Sequence, residues 1–226
     1  MIIIFDLDDT LYDERQFVLS GFKAVAQMAA GEWQLNPQRS LKELTQLLDS
    51  QGRGRIFDSW LRTHGLYSKK HVQRCLSQYR GHKPEITLPE ASKQLLENIG
   101  HPLYLVTDGN KQVQHSKIKA LGIEHYFKKC YITHRYGIRH AKPSTYCFEL
   151  IRKREACPWE KMVYVGDNPA KDFVNLNKLG MQTVRVLTGI HKDQPADHAH
   201  EAKHRIKRLS DIKALLRLMT SDCFMD

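Results

Sequence analysis

Short apolar runs that stop abruptly at acidic or hydroxyl residues constrain this chain more than any other feature. Ile2 to Phe5 is such a run, followed at once by Asp6-Leu7-Asp8-Asp9-Thr10. Leu103 to Val106 leads into Thr107-Asp108-Gly109-Asn110, and Met162 to Val165 leads into Gly166-Asp167. Cys130 to Thr133 and Thr183 to Leu187 are further strand candidates. Apolar, β-branched runs of this length, bounded by turn residues, predict buried strands. Helical segments fall between them: Pro89 to Asn98 before Gly100, Lys111 to Leu121 before Gly122, Pro143 to Arg154, and Pro169 to Leu179 before Gly180. Proline in a first turn and glycine just past an end are helix punctuation. Alternating strands and helices predict an α/β fold, a parallel sheet with helices on both faces.

Residues 14–83 break that rhythm. Phe17, Phe22, Val25 and Met28 recur at helical spacing, as do Leu41, Leu44, Leu47 and Leu48, then Ile56, Trp60 and Leu61, then Val72, Leu76 and Tyr79. This predicts an all-helical insert of about four helices after the first strand. The expected division is a core of residues 1–13 and 84–226 and a helical domain of residues 14–83, with the return linker at 84–89.

In an open parallel sheet, ligands bind beyond the carboxyl ends of the strands. Asp6, Asp8, Thr107 and Asp167 all follow strand candidates, so the fold predicts that they converge. In extended chain Asp6 and Asp8 face one side and could share a ligand. Two neighbouring carboxylates repel unless a cation sits between them, and a hard oxygen-seeking ion such as Mg²⁺ suits that place. The same cation would neutralise a phosphate, on which a carboxylate can act as nucleophile. The Thr107 hydroxyl and the following backbone N–H could hold phosphate oxygens. Lys142, just before Pro143, could bring a point charge to the same group. In Gly166-Asp167-Asn168-Pro169-Ala170-Lys171-Asp172, Asp167 could ligate the metal, with Asp172 about one helical turn further on.

The net charge of +10 favours capture of anionic ligands, metabolite or nucleic acid. No apolar run approaches the roughly 20 residues that cross a bilayer. The apolar start is cut short by Asp6 and carries no basic leader or cleavage site, so it is not read as a secretory signal. Five scattered cysteines, Cys75, Cys130, Cys147, Cys157 and Cys223, form no Cys-x-x-Cys pair and predict reduced thiols in a cytoplasmic protein. The tail from His191 to His204, with His198 and His200, is read as a solvated loop, with a closing helix over Leu209 to Leu218.

Taken in order, these loops resemble the motifs of the haloacid dehalogenase superfamily along nearly the whole chain. Asp6-Leu7-Asp8-Asp9-Thr10 is similar to that family's first motif, Thr107 stands at the second, Lys142 at the third, and Gly166-Asp167 with Asp172 at the fourth. The resemblance implies a Rossmann-like core with a helical cap after the first strand, and a Mg²⁺-dependent phosphatase of small phosphorylated metabolites. It also implies roles. Asp6 would be nucleophile and metal ligand. Asp8 would bind the metal through its main-chain carbonyl and act as acid, then base. Thr107 and the Asp108 N–H would hold phosphate, and Lys142 would steady Asp6 and the transferring group. Asp167 would ligate the metal directly, with Asp172 in support. The family more often has asparagine or glycine where Asp108 stands, so its side chain is expected to turn away. Substrate contacts would come partly from the cap, where Arg53, Arg55, Arg62 and Lys69 are basic candidates.

A phosphomutase would keep every one of these motifs. Haloalkanoate dehalogenation would need neither Asp8 nor Asp167. Phosphonate cleavage would need a cap amine, with Lys23, Lys42, Lys69 and Lys70 available. A non-catalytic nucleic-acid-binding protein would leave the filled catalytic positions unexplained, and no dedicated binding motif is present. Monomer and homodimer both remain compatible with the sequence.

Overall fold

A computed structural model describes residues 1–221; Cys223 lies outside them. Among the described residues the chain runs β1 (Ile2–Phe5), α1 (Arg15–Trp33), α2 (Pro37–Gln51), α3 (Ile56–Thr63), α4 (Lys69–Gly81), α5 (Glu90–Asn98), β2 (Leu103–Thr107), α6 (Lys111–Leu121), β3 (Lys129–Ile132), α7 (Tyr146–Glu155), β4 (Met162–Gly166), α8 (Val174–Lys178), β5 (Gln182–Val186), β6 (His204–Ile206) and α9 (Ile212–Ser221). The chain separates into two compact units, Arg15–Ile86 and the remainder, Met1–Glu14 with the chain from Thr87 onward.

The second of these holds one parallel sheet in the order β3-β2-β1-β4-β5-β6. Side chains alternate across it. Ile2, Ile4, Tyr104, Val106, Met162 and Tyr164 share a core with Phe148 and Ile151 of α7 and Leu176 of α8. Ile3, Phe5, Leu105, Val163 and Val165 point the other way and are equally buried, so both faces are covered. Burial on both faces is why these strands read as unbroken apolar runs rather than as alternating ones. After β1 the chain builds outward through β2 and β3, then returns to lay β4 against the free side of β1. The order reverses there, which sets the loops after β1 and β4 side by side.

Three expectations about this unit need correction. The helix expected from Pro143 begins at Tyr146, because the Ser144 N–H closes a turn on the Ala141 carbonyl instead. The helix expected from Pro169 shrinks to Val174–Lys178. Asn168 captures the Ala170 N–H with its side chain, and its carbonyl takes the Lys171 and Asp172 N–H groups. The histidine-bearing tail ends in a sixth strand, β6. Arg185 of β5 organises the approach to it: its guanidinium reaches Glu201 Oε2 at 2.9 Å and the carbonyls of His191 and Gln194 at 2.7 Å each. A three-residue strand whose pairing depends on a distant arginine leaves no local signature.

Arg15–Ile86 contains α1 to α4 and its own core of Val18, Phe22, Val25, Leu44, Phe57, Trp60, Leu61 and Cys75. Asn36 caps α2 by accepting the Arg39 N–H, with Pro37 in its first turn, and Ser68 caps α4 through the His71 N–H. Cys75, Cys130 and Cys147 are free, and burial pushes each thiol up to about 12, so they remain protonated. No described helix is long and apolar enough to cross a membrane.

Trp60 is fully buried and donates its indole N–H to Glu43. Trp60→Ala is expected to cost about 3–5 kcal/mol. Urea unfolding followed by far-ultraviolet circular dichroism checks this, and a midpoint equal to wild type would contradict the packing described.

Candidate active site

Asp6 extends β1 by one step, its N–H donating to the Val165 carbonyl of β4 at 2.9 Å. Its side chain therefore emerges at the switch between the two strands. Asp6 Oδ1 lies 3.0 Å from Lys142 Nζ, which also lies 2.7 Å from Asp172 Oδ1 and donates to the Tyr164 hydroxyl at 2.8 Å. Tyr164 in turn donates to Asp172 at 3.3 Å, and the Asn168 N–H donates to the other Asp172 oxygen at 3.0 Å. Gly166 permits this approach: a Cβ there would stand 2.5 Å from Asp172 Oδ2.

Asp6, Asp167 and Asp172 are all buried, and each places a carboxylate oxygen within 4.8 Å of the others. The Lys142 ammonium pairs with two of these acids, Asp6 and Asp172. At an effective dielectric near 20, two like charges about 4 Å apart repel by roughly 4 kcal/mol. The titration behaviour follows. Burial, with Asp172 and Asp8 adding to it against the attraction of Lys142 and Lys171, raises Asp6 to about 7. Burial, then Asp6 and Asp172, raises Asp167 to about 9. Burial alone would lower Lys142, but Asp172 and Asp6 hold its ammonium well above the ordinary lysine range. A dense set of oxygen donors with unbalanced negative charge fits a hard divalent cation. Among the described residues no other acidic, histidine or cysteine group has this geometry.

Asp8 departs from the arrangement expected for it. The chain does not stay extended past Asp6. Leu11 N–H returns to the Leu7 carbonyl, and Asp9 adopts the left-handed conformation at φ 53°. The Asp8 carboxylate is consequently not in the metal-type cluster. Its Oδ1 accepts from the Tyr12 hydroxyl and from Lys117, and its Oδ2 from Gln114, each at 2.8 Å. Burial alone would raise Asp8, but Lys117, together with the hydrogen bonds from Gln114 and Tyr12, holds it below the usual carboxylate range. The Asp8 side chain thus lies outside the cluster of Asp6, Asp167 and Asp172, while the metal contact expected of Asp8 involves its main-chain carbonyl.

Thr107 is buried at the end of β2, where its Oγ1 accepts from Gln114 at 2.6 Å and keeps its own proton to donate. It does not cap α6; Asn110 does, through the Gln112 and Val113 N–H groups. Both oxygens of the Asp108 carboxylate have partners. It accepts from the Thr133 hydroxyl at 2.6 Å and the Lys142 N–H at 3.1 Å, and Lys171 reaches its other oxygen at 3.4 Å. Burial would raise Asp108, yet Lys142 and Lys171 keep it low. A carboxylate held this way acts as a tether between the loops after β2 and β3. It leaves the Asp108 N–H as the group available to an anion.

Several participants were missed in the sequence. Tyr164 reads as one more core residue of β4, and Gln114 and Lys117 as ordinary members of an exposed helix. Asp9 reads as a third acid beside Asp8. In fact its carboxylate accepts the Glu14 and Ile190 N–H groups, and its carbonyl accepts from Thr188, which fastens the first loop to the segment after β5. For Gln114 and Lys117, three-residue spacing on one helix face was the available signal.

The family model described as haloacid dehalogenase-like hydrolase matches residues 3–186, which include both strand ends at the switch and every residue of the acid–lysine cluster. The chain belongs to the haloacid dehalogenase-like hydrolase family. Within that family it is similar to a protein named glyceraldehyde 3-phosphate phosphatase from Methanocaldococcus jannaschii, at 30% identity over 97% of this chain and 98% of that one. A protein of the same name from Methanopyrus kandleri is 29% identical with the same coverage. The fold is also that of a haloacid dehalogenase-superfamily hydrolase from Geobacter sulfurreducens. That crystal structure has a TM-score of 0.68 and 16% identity, covering 95% of each chain.

A buried acid with a raised pKa favours the folded state at low pH, where it is protonated. That contribution is lost as pH rises through the folded value. For Asp167 the window runs from about 4 to about 9. Without divalent metal, the melting temperature of wild type relative to Asp167→Asn is expected to fall across that window, and Mg²⁺ should reverse the fall. A difference between the two proteins that does not vary with pH would refute the electrostatic account.

Proposed function

We propose that the chain is a Mg²⁺-dependent phosphatase that hydrolyses a small phosphate monoester through an aspartyl-phosphate on Asp6. The supporting observation is the Asp6–Lys142–Asp172 arrangement with Asp167 beside it. It offers one carboxylate at the end of a central strand and a fixed ammonium against that carboxylate. The remaining acids suit a cation. The phosphatase names of relatives that match over nearly the full chain support the same reading.

Asp6 and Asp167 would hold the cation, together with the Asp8 main-chain carbonyl and with Asp172 in support. When bound, the cation neutralises the acids and draws charge from the phosphoryl oxygens. The Thr107 hydroxyl and the Asp108 N–H would grip the phosphate, while Lys142 keeps Asp6 aimed and balances charge on the transferring group. An Asp6 oxygen attacks phosphorus. The bond from phosphorus to the ester oxygen breaks, and that oxygen leaves with a proton from Asp8. A water then attacks the phosphorus of the acyl phosphate and gives its proton to Asp8. Inorganic phosphate is released and Asp6 is regenerated. From the names of the relatives, a three-carbon sugar phosphate of the glyceraldehyde 3-phosphate type is the proposed substrate.

Asp6→Asn is expected to lower p-nitrophenyl phosphate turnover more than about 1,000-fold with an unchanged circular dichroism spectrum. EDTA should abolish wild-type turnover and Mg²⁺ restore it. Near-normal activity in either test would defeat the mechanism. In a panel of glyceraldehyde 3-phosphate, phosphoglycolate, sugar phosphates and nucleoside monophosphates, the highest kcat/KM is expected on glyceraldehyde 3-phosphate. A clear preference for nucleotides would overturn the substrate assignment alone.

A further inference from the structure

The residues that hold Asp8 form a second buried network. Lys117 of α6 is only 2% exposed, and its ammonium lies 2.8 Å from Asp8 Oδ1 and 2.7 Å from Glu14 Oε1. Gln114, three residues earlier on the same helix face, donates to Asp8 Oδ2 at 2.8 Å and to Thr107 Oγ1 at 2.6 Å. The Tyr12 hydroxyl supplies a further donor to Asp8 Oδ1. A lysine buried in a helix facing the sheet is costly unless it is paired, so its position needs a reason beyond solvation.

The hydrogen-bond inventory supplies one. A carboxylate oxygen offers two lone-pair directions. Tyr12 and Lys117 occupy both on Oδ1. Gln114 occupies one on Oδ2, which keeps the other. We propose that Lys117 and Gln114 are positioning residues for Asp8: from one face of α6 they fix the orientation of its carboxylate, Lys117 at Oδ1 and Gln114 at Oδ2, and leave one lone-pair direction of Oδ2 for the reacting group. Because Gln114 also holds the Thr107 hydroxyl, one side chain sets the spacing between the group that grips phosphate and the group that protonates the leaving oxygen. Glu14 holds the Lys117 ammonium from the other side at 2.7 Å.

This inference rests on the phosphatase reading and on Asp8 as the acid. It separates from a general structural role by its dependence on the leaving group. Expulsion of p-nitrophenolate needs little proton donation, whereas an alkoxide needs a full one. The ratio kcat/KM reports steps up to phosphoryl transfer and so isolates the acid role from the later attack of water. Lys117→Met keeps the apolar stem and removes the ammonium. It is expected to lower kcat/KM for an alkyl phosphate, glyceraldehyde 3-phosphate or glycerol 2-phosphate, at least about tenfold more than for p-nitrophenyl phosphate. KM for the alkyl substrate should stay near wild type. Gln114→Leu is expected to add a fall common to both substrates, through Thr107, to the same selective loss, and the ratio of the two carries the comparison should Lys117→Met fail to fold. An equal loss on both substrates in a folded variant, or no loss on either, overturns the inference while an active wild type leaves the phosphatase reading standing. A wild-type chain that turns over neither ester in Mg²⁺ overturns both.

Discussion

Three buried carboxylates gathered around one ammonium are the constraint on which the rest of the site depends. Asp6 and Asp172 both reach Lys142 Nζ, and Asp167 lies within 4.8 Å of each. Such a cluster is unstable by itself, since each pair of ionised acids repels by several kcal/mol in a partly screened interior. The protein relieves it in part by raising the pKa values of Asp6 and Asp167 and in part by fixing Lys142 between Asp6 and Asp172. What remains is an excess of oxygen donors and negative charge that a divalent cation satisfies. The parallel sheet makes this arrangement possible by pairing β1 with β4, and the missing side chain of Gly166 lets Asp172 close on it.

Asp6 and Asp8 are two residues apart and live in opposite surroundings. Burial among acids raises the first, and Lys117 with its neighbours lowers the second. A backbone turn at Asp9, held in the left-handed region, follows the two acids and is tied to the segment after β5 through Thr188 and Ile190. The loop after β1 is therefore shaped by contacts with chain 179 and 181 residues later, at Thr188 and Ile190.

Asp108 shows how a residue that looks unfavourable is accommodated. A carboxylate next to a phosphate grip would repel its ligand. Thr133, the Lys142 N–H and Lys171 instead consume both of its oxygens. The side chain becomes a strap that positions Lys142, and the charge is balanced locally.

The sequence by itself determined the α/β class, the order of the strands along the chain and the helical segment after the first strand. It also showed that polar groups follow β1, β2 and β4. These are local properties: apolar runs buried on both faces, caps such as Asn36 and Asn110, and stops such as Gly122. Only the tertiary structure decided which acids meet. The direction of Asp8, the entry of Tyr164 into the lysine network, the pairing of Lys117 with two distant carboxylates and the existence of β6 all depend on strand neighbours and return turns. No residue window encodes such partners, because a buried charge is satisfied by whatever the fold brings within about 3 Å.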